Sequence, residues 1–240
     1  MMQREYKKQG FFRFTPADSE GGGARELWCL KPGEGGINTI CRVLEVSLRE
    51  LTMKDGKRIE ILEGVIADYT AKMPFFSWVA DQEELKQDRV IQIGNAYVRR
   101  WSGLVTLYIG RNTELREKNI YFPAYDELNK PQRRDIGDII RCQGAFDVIV
   151  EGDIVGMAGD RVLVDDGTGV LFMALDDDSG VKRLSLSLSF GTPVIARGNV
   201  MVRGSEYILM ARELKIKDDK HLLEELMEFM ARYTCIMWMW

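Results

Sequence analysis

The stretch "DYTAKMPF" at residues 68–75 returns as "DGTGVLFM" at residues 166–173, an offset of 98 (166 − 68). A second echo follows. "IQIGNAYVRR", around Asn95, matches "VIARGNVMVR", around Asn199, an offset of 104 (199 − 95). Self-similarity of this kind means one supersecondary plan written twice. The slack between the two offsets falls in the segment between the echoed strands, where a change of loop length costs little.

Working outward from the first copy, the pattern is of strands. "INTICRVLEVSL" and "RIEILEGVIADYT" flank "MKDGK", where Asp55-Gly56 signals a hairpin. "AKMPFFSWVA" follows, then a short polar helix candidate "DQEELKQD", then "RVIQIGNAYVRRW" and "GLVTLYIG". Five strands with a small helix between the third and fourth is the order of an OB-fold, a partly open Greek-key barrel. In the second copy "DDDSGVKRLSLSLSF" takes the helix's place. The predicted fold is therefore all-β: two tandem five-stranded OB-fold barrels with a C-terminal α-helix. Residues 1–25, with "KKQGFFRF" and "SEGGGA", read as a mobile N-terminal arm. Residues 26–113 form the first barrel, 114–133 a connector and 134–217 the second barrel. In residues 218–240, Leu222, Leu223, Leu226, Phe229, Met230 and Tyr233 recur at helical spacing behind an Asp218 or Asp219 N-cap, followed by the tail "CIMWMW".

The 240 residues, 45% of them hydrophobic, suffice for a real core, and a net charge of −4 excludes a uniformly cationic coat. Attraction to nucleic acid has to come from a local patch. Cys29, Cys41, Cys142 and Cys235 are scattered, with no C-x-x-C and a single His221, so no zinc site and no cofactor is expected. The cysteines read as buried small hydrophobes in a reducing compartment. The start "MMQREYKKQ" has no apolar signal core and no run approaches a membrane span, so the expected location is cytoplasmic, associated with the nucleoid. No P-loop or nucleophile elbow occurs, and Asp165, Asp166, Asp176, Asp177 and Asp178 read as a solvated acidic surface rather than a Mg²⁺ site. The expectation is a protein that is not an enzyme.

Side chains alternate along a strand, so parity separates core from solvent. With Met73, Phe75 and Ser77 inward, Phe76 and Trp78 turn outward. With Ala96 and Val98 inward, Tyr97, Arg99 and Trp101 turn outward. On the open face of a barrel these make an aromatic platform with guanidinium groups beside it, a surface that stacks the bases of a single strand and holds its phosphates. Arg100 belongs to the same stretch. Arg42, in "ICRVLEV", joins this groove unless a bulge near Leu44 turns it away. Lys57 and Arg58, beside the first hairpin, close over the strand or merely decorate a solvated turn. In the second barrel the outward positions matching Phe76 and Trp78 are read as Met173 and Leu175, which do not stack as aromatics do, leaving Arg197, Arg203 and Tyr207 either for a lesser groove or for structural pairing.

The same residues carry a resemblance. "LKPGEGGINTICRVLEV", "LEGVIADYTAKMPFFSW" and "NAYVRRWSGLVTLYIG" resemble the first-to-fifth-strand signature of archaeal replication protein A, a single-stranded-DNA-binding family, over about residues 30–113 and more loosely over the second barrel. The resemblance implies tandem OB-folds that protect single-stranded DNA in replication, repair and recombination. It implies base stacking at Trp78 and near Trp101 and phosphate contacts at Arg42 and Arg99. Many relatives carry a C-terminal zinc module, which the cysteine count here excludes. Residues 218–240 either pack their apolar stripe against their own barrel or are candidates for homo- or hetero-oligomer contacts or for docking on other replication proteins. Two other functions remain open: an OB-fold accessory or scaffold subunit making mainly protein contacts, and an RNA-binding OB protein.

Overall fold

The computed structural model describes residues 23–52, 56, 58–79, 83–158, 161–175 and 189–217. The first barrel is built from β1 (Gly35–Thr52), β2 (Arg58–Ala67), β3 (Lys72–Ser77), β4 (Val90–Trp101) and β5 (Leu104–Ile109). β1 pairs antiparallel with both β2 and β4, β2 with β3, and β4 with β5; a parallel β3–β5 pairing closes the ring. After it come β6 (Glu114–Glu117), α1 (Tyr125–Leu128), β7 (Gln132–Arg133) and α2 (Ile136–Arg141). The second barrel consists of β8 (Ala145–Ala158), β9 (Arg161–Asp165), β10 (Val170–Leu175), β11 (Pro193–Arg203) and β12 (Glu206–Ile216). It repeats the pairing strand for strand, closed by a parallel β10–β12 pair. These are two OB-fold barrels. Among the described residues no helix is long and apolar enough to cross a membrane.

Parity along the strands fills each interior. Ile37, Cys41, Met73, Phe75, Ile91, Ala96, Val98 and Leu107 meet inside the first barrel. Val148, Val164, Leu171, Met173, Ala196, Val200 and Leu209 meet inside the second. Both first strands carry a bulge at the same place, at Leu44 and at Val155. A bulge adds local twist, which a long strand needs to bend around a barrel. Close approach there demands glycine across the pair: a Cβ on Gly64 would sit 1.9 Å from the Glu45 carbonyl oxygen.

The echoed motif is a plug built twice. Asp68 Oδ1 accepts hydrogen bonds from the Thr70 N–H (2.7 Å) and hydroxyl (2.6 Å) and from the Ala71 N–H (2.9 Å), while Oδ2 accepts from the Leu27 N–H (2.8 Å). Asp166 does the same with Thr168, Gly169 and the Ile136 N–H at the start of α2. The Asp-x-Thr turn thus satisfies the amide that opens the short helical segment beneath each barrel. Depth separates the two copies. Burial raises the Asp68 carboxyl above the ordinary range despite its four donors, whereas at the shallower Asp166 the donors outweigh burial and lower it.

The two barrels share a buried joint. Lys72, the first residue of β3, forms an ion pair with Asp147 of β8, and their side chains are 4% and 6% exposed. Asp147 also takes Arg197 on both carboxylate oxygens (2.8 and 3.1 Å) and Arg212 (3.0 Å). Beside this joint Trp28 packs against both cores, with the Arg134 guanidinium 4.1 Å over its ring. Further out, Arg100 donates to the Gln143 carbonyl (2.8 Å) and the Val202 N–H to the Gly103 carbonyl (3.0 Å).

Several expectations change. Residues 83–88 of "DQEELKQD" form turns rather than a helix, with Leu85 inserted into the first core. Arg25, assigned to the N-terminal arm, is held to the first barrel by Glu34 and by the Asn38 carbonyl. The connector is partly sheet, since β6 pairs with β4 and β7 with β8. Among the described cysteines only Cys41 is fully buried; Cys29 is exposed and Cys142 intermediate. Residues 1–22 of the arm, the C-terminal helix, His221, Cys235 and Asp176, Asp177 and Asp178 lie outside the described residues.

Removing Asp147 would leave Lys72 buried without its counter-charge, so Asp147→Ala should cost about 3–5 kcal/mol of stability. Arg212→Ala, which removes a half-exposed partner, should cost less than about 1 kcal/mol. Burial pushes the Asp147 carboxyl up, but its bonds to Arg197 and Lys72 outweigh that and hold it below the usual carboxylate value. The stability it confers should be complete above about pH 4 and fade as pH falls through the lower folded value. Urea denaturation of the three proteins across that window checks both statements.

Candidate nucleic-acid interface

On the outer face of the first barrel the predicted parity holds. Met73, Phe75, Ser77, Ala96 and Val98 are buried inward, and Phe76, Trp78, Tyr97, Arg99 and Trp101 turn the other way. Facing outward does not leave Phe76 exposed. Its ring is 2% accessible, covered by Trp78 (centroids 5.0 Å, edge-on), Trp101 (5.3 Å) and Tyr108 (5.4 Å). Ile61 lies buried beside it, and Leu51 and Ile59 of the β1–β2 hairpin pack against the group. Phe76 is therefore the floor of a small outer core and not a stacking surface. Trp78 and Trp101, each 40% exposed, are what the floor holds up. Edge-on and tilted ring pairs at these separations contribute roughly 0.5–1.5 kcal/mol each beyond area burial, so the tryptophans are set in place before any ligand arrives.

Tyr108 was not among the predicted site residues. It stacks on Tyr97 (5.2 Å, 21°) and completes the cluster. The alternation in "LVTLYI", with Val105, Leu107 and Ile109 inward, contains the signal, since it turns Tyr108 to the face that carries Tyr97. Arg99 lies 5.0 Å over the Tyr97 ring and makes no ion pair among the described residues. A base reaching Tyr97 has to share that ring with Arg99.

The remaining predicted arginines do other work. The bulge at Leu44 is present, and Arg42 is engaged by the Asp88 carboxylate (2.8 Å) and by the carbonyls of Asp88, Phe122 and Pro123. It fastens the connector to the barrel, and its donors are not directed at the aromatic face. Arg100 follows the inward parity of Val98 and reaches Gln143 of the second barrel. Arg58 is exposed and paired with Glu50 (3.2 Å). Lys57 lies outside the described residues.

In the second barrel, strand pairing corrects the matching. Phe76 faces Tyr108 across β3–β5, and Ala174 faces Met210 across β10–β12. Tyr97 faces Tyr108 and Trp101 faces Leu104, whereas Asn199 faces Met210 and Arg203 faces Glu206. Phe76, Tyr97, Trp101 and Tyr108 thus correspond to Ala174, Asn199, Arg203 and Met210. Met173 matches Phe75 and is fully buried in the core; Leu175 matches Ser77. Arg197 is consumed by Asp147 and Glu213, and the Tyr207 hydroxyl donates to the Ile140 carbonyl (3.2 Å) while its ring packs on the second core. Arg203, at the end of β11, is exposed. Among the described residues no group of three or more His, Cys, Asp or Glu side chains could hold a metal ion.

No protein-family model matches the chain. It is 33% identical over 89 residues to the single-stranded DNA binding protein Ssb of Saccharolobus solfataricus, a match covering 37% of this chain and 60% of that protein. The chain therefore spans less than two thirds of that relative's length. Similar solved structures include the OB domain of a Thermoplasma acidophilum protein, with 22% identity, 42% of this chain and 91% of that one covered, and a TM-score of 0.37. A replication protein A heterotrimer bound to single-stranded DNA gives 12% identity, 85% and 55% coverage, and a TM-score of 0.37.

Because Phe76 is a floor and the tryptophans are its cover, their truncations should differ in kind. Phe76→Ala should cost about 3–5 kcal/mol of stability. Trp78→Ala and Trp101→Ala should each cost clearly less, because much of each ring is already in water. Urea midpoints of the three variants measure the difference.

Proposed function

We propose that the chain binds single-stranded DNA through its first barrel, as a non-enzymatic protector of single strands in replication, repair and recombination. The observation that carries this reading is the pair Trp78 and Trp101, half-exposed on one buried Phe76 ring with Arg99 beside them. Stacking on an aromatic side chain is worth roughly 1–3 kcal/mol per base and tolerates any sequence, because every base has a π-face. Duplex DNA keeps those faces stacked on each other and gains little here. The similarity to an archaeal single-stranded DNA binding protein supports the same ligand. A net charge of −4 does not oppose it, since the field of distant surface charges is screened beyond about 8–10 Å.

A second reading assigns the second barrel to protein contacts. It is favoured by the missing aromatics at Ala174, Asn199 and Met210 and by the exposed Met157, Val170 and Phe190. Oligomerisation or docking through residues 218–240 belongs to this reading and rests on their apolar spacing alone.

Titrating intrinsic tryptophan fluorescence with oligo-dT, oligo-rU and a duplex tests the proposal. Oligo-dT should quench it and the duplex should not; equal response to oligo-rU would make the ligand any single strand. Trp78→Ala and Trp101→Ala should each weaken oligo-dT binding by about 1–3 kcal/mol with the circular dichroism unchanged. Arg203→Ala should change it least. The comparison calls for the full chain, because separated barrels would strand Lys72 and Trp28. Unchanged affinity in both tryptophan variants would overturn the platform.

A further inference from the structure

Running back along β4 from Trp101, the outer face passes Arg99 and Tyr97 and reaches Asn95, roughly 20 Å away. There a cleft of about 290 Å³ opens between β4 and the turn after β5. Its wall is Ala96 and the edge of the Tyr97 ring, and Gly110 keeps that edge open: a Cβ there would meet Tyr97 Cε1 at 3.5 Å. The floor is a braced turn. The Gly110 N–H donates to Thr113 Oγ1 (2.9 Å), the Thr113 hydroxyl donates to the Asn95 carbonyl (3.3 Å), and Asn95 Nδ2 donates to the Asn112 carbonyl (3.1 Å). Asn95 itself is held at φ +59°, in the left-handed region. The volume is at the low end of small-ligand clefts, room for one nucleotide unit.

Apart from Arg100, which donates to Gln143 of the second barrel, the described arginines around this barrel fall into two groups. Arg25, Arg42, Arg49, Arg58, Arg89 and Arg116 are each paired with a carboxylate. Arg99 and Arg111 are not, and neither donates a hydrogen bond among the described residues; Arg99 lies over the Tyr97 ring, and Arg111 is exposed on the rim of the cleft that Tyr97 also lines. A paired guanidinium has to break its ion pair before it can take a phosphate, and an unpaired one does not.

We propose that this cleft continues the single-strand track: one nucleotide beyond those stacked on Trp78 and Trp101 sits against the Tyr97 edge, with its phosphate on Arg111. The inference rests on the single-strand reading above and adds a site to it. Arg99 and Arg111 then hold phosphates beside Tyr97, so that the track runs the length of β4 and ends at a polar pocket.

The salt dependence of oligo-dT binding separates this from alternatives, because each phosphate neutralised on a single strand contributes about −0.7 to the slope of log K against log salt. In the full chain, Arg111→Ala should make the slope shallower by about 0.7, and Arg111→Lys should restore it. Arg58→Ala, which removes a guanidinium already paired with Glu50, should leave it unchanged. An unaltered slope in Arg111→Ala, with the wild-type chain binding normally, overturns the cleft while leaving the platform standing. An equal loss in Arg58→Ala also overturns it, since any surface charge would then do. A wild-type chain that does not bind oligo-dT at all removes the single-strand reading and the cleft together.

Discussion

The buried contact between Lys72 and Asp147 sets the frame on which the rest of this molecule hangs. Two charges taken out of water have to be answered completely, and here one carboxylate gathers three cations from three strands, Lys72 of β3, Arg197 of β11 and Arg212 of β12. Lys72 opens the strand that carries Phe76, and Trp78 follows directly after that strand ends. The stacking strand of one barrel is thereby anchored at its start to the other. Trp28, wedged against both cores under Arg134, adds an apolar contact beside the ionic one.

From that joint the barrels diverge while keeping one plan. Each is plugged by an Asp-x-Thr turn bonded to the amide of a short helical segment, and each bends its first strand at a bulge. On the outer face the plan is filled differently. The first barrel places a phenylalanine under two tryptophans and stacks two tyrosines beside them; the second has Ala174, Asn199, Arg203 and Met210 in the corresponding register. Architecture is duplicated, and chemistry is not.

Charge follows the same division. Most arginines near the first barrel are matched to carboxylates and serve to pin turns and connectors, as Arg42 does with Asp88 and the chain at Phe122 and Pro123. Among the described residues of the first barrel, the arginines left with neither an ion pair nor a hydrogen bond are local, Arg99 and Arg111, both beside Tyr97. An acidic chain can thus present a cationic strip, because only the nearest charges act through water and salt.

The sequence by itself determined the repeat, the strand order and the parity. Met73, Phe75, Ala96 and Val98 could be placed inside, and Tyr97, Arg99 and Trp101 outside, because alternation is a property of the local backbone and survives any packing. The tertiary structure alone decided what each outward residue meets. Phe76 faces out and is still buried, since Trp78, Trp101 and Tyr108 arrive over it from its own strand's end and from two others. Arg100 finds Gln143, 43 positions away, and Arg42 finds carbonyls 80 and 81 away. Met173 and Leu175, read as outward, stand one place from the positions that match Phe76 and Trp78: strand register, like the echo of residues 68–75 in 166–173, sets Met173 against Phe75 in the core, and it sets Asn199 against Tyr97, two places from Asn95. A one-residue shift exchanges the two faces of a strand, and pairing with a neighbouring strand fixes which face each residue takes.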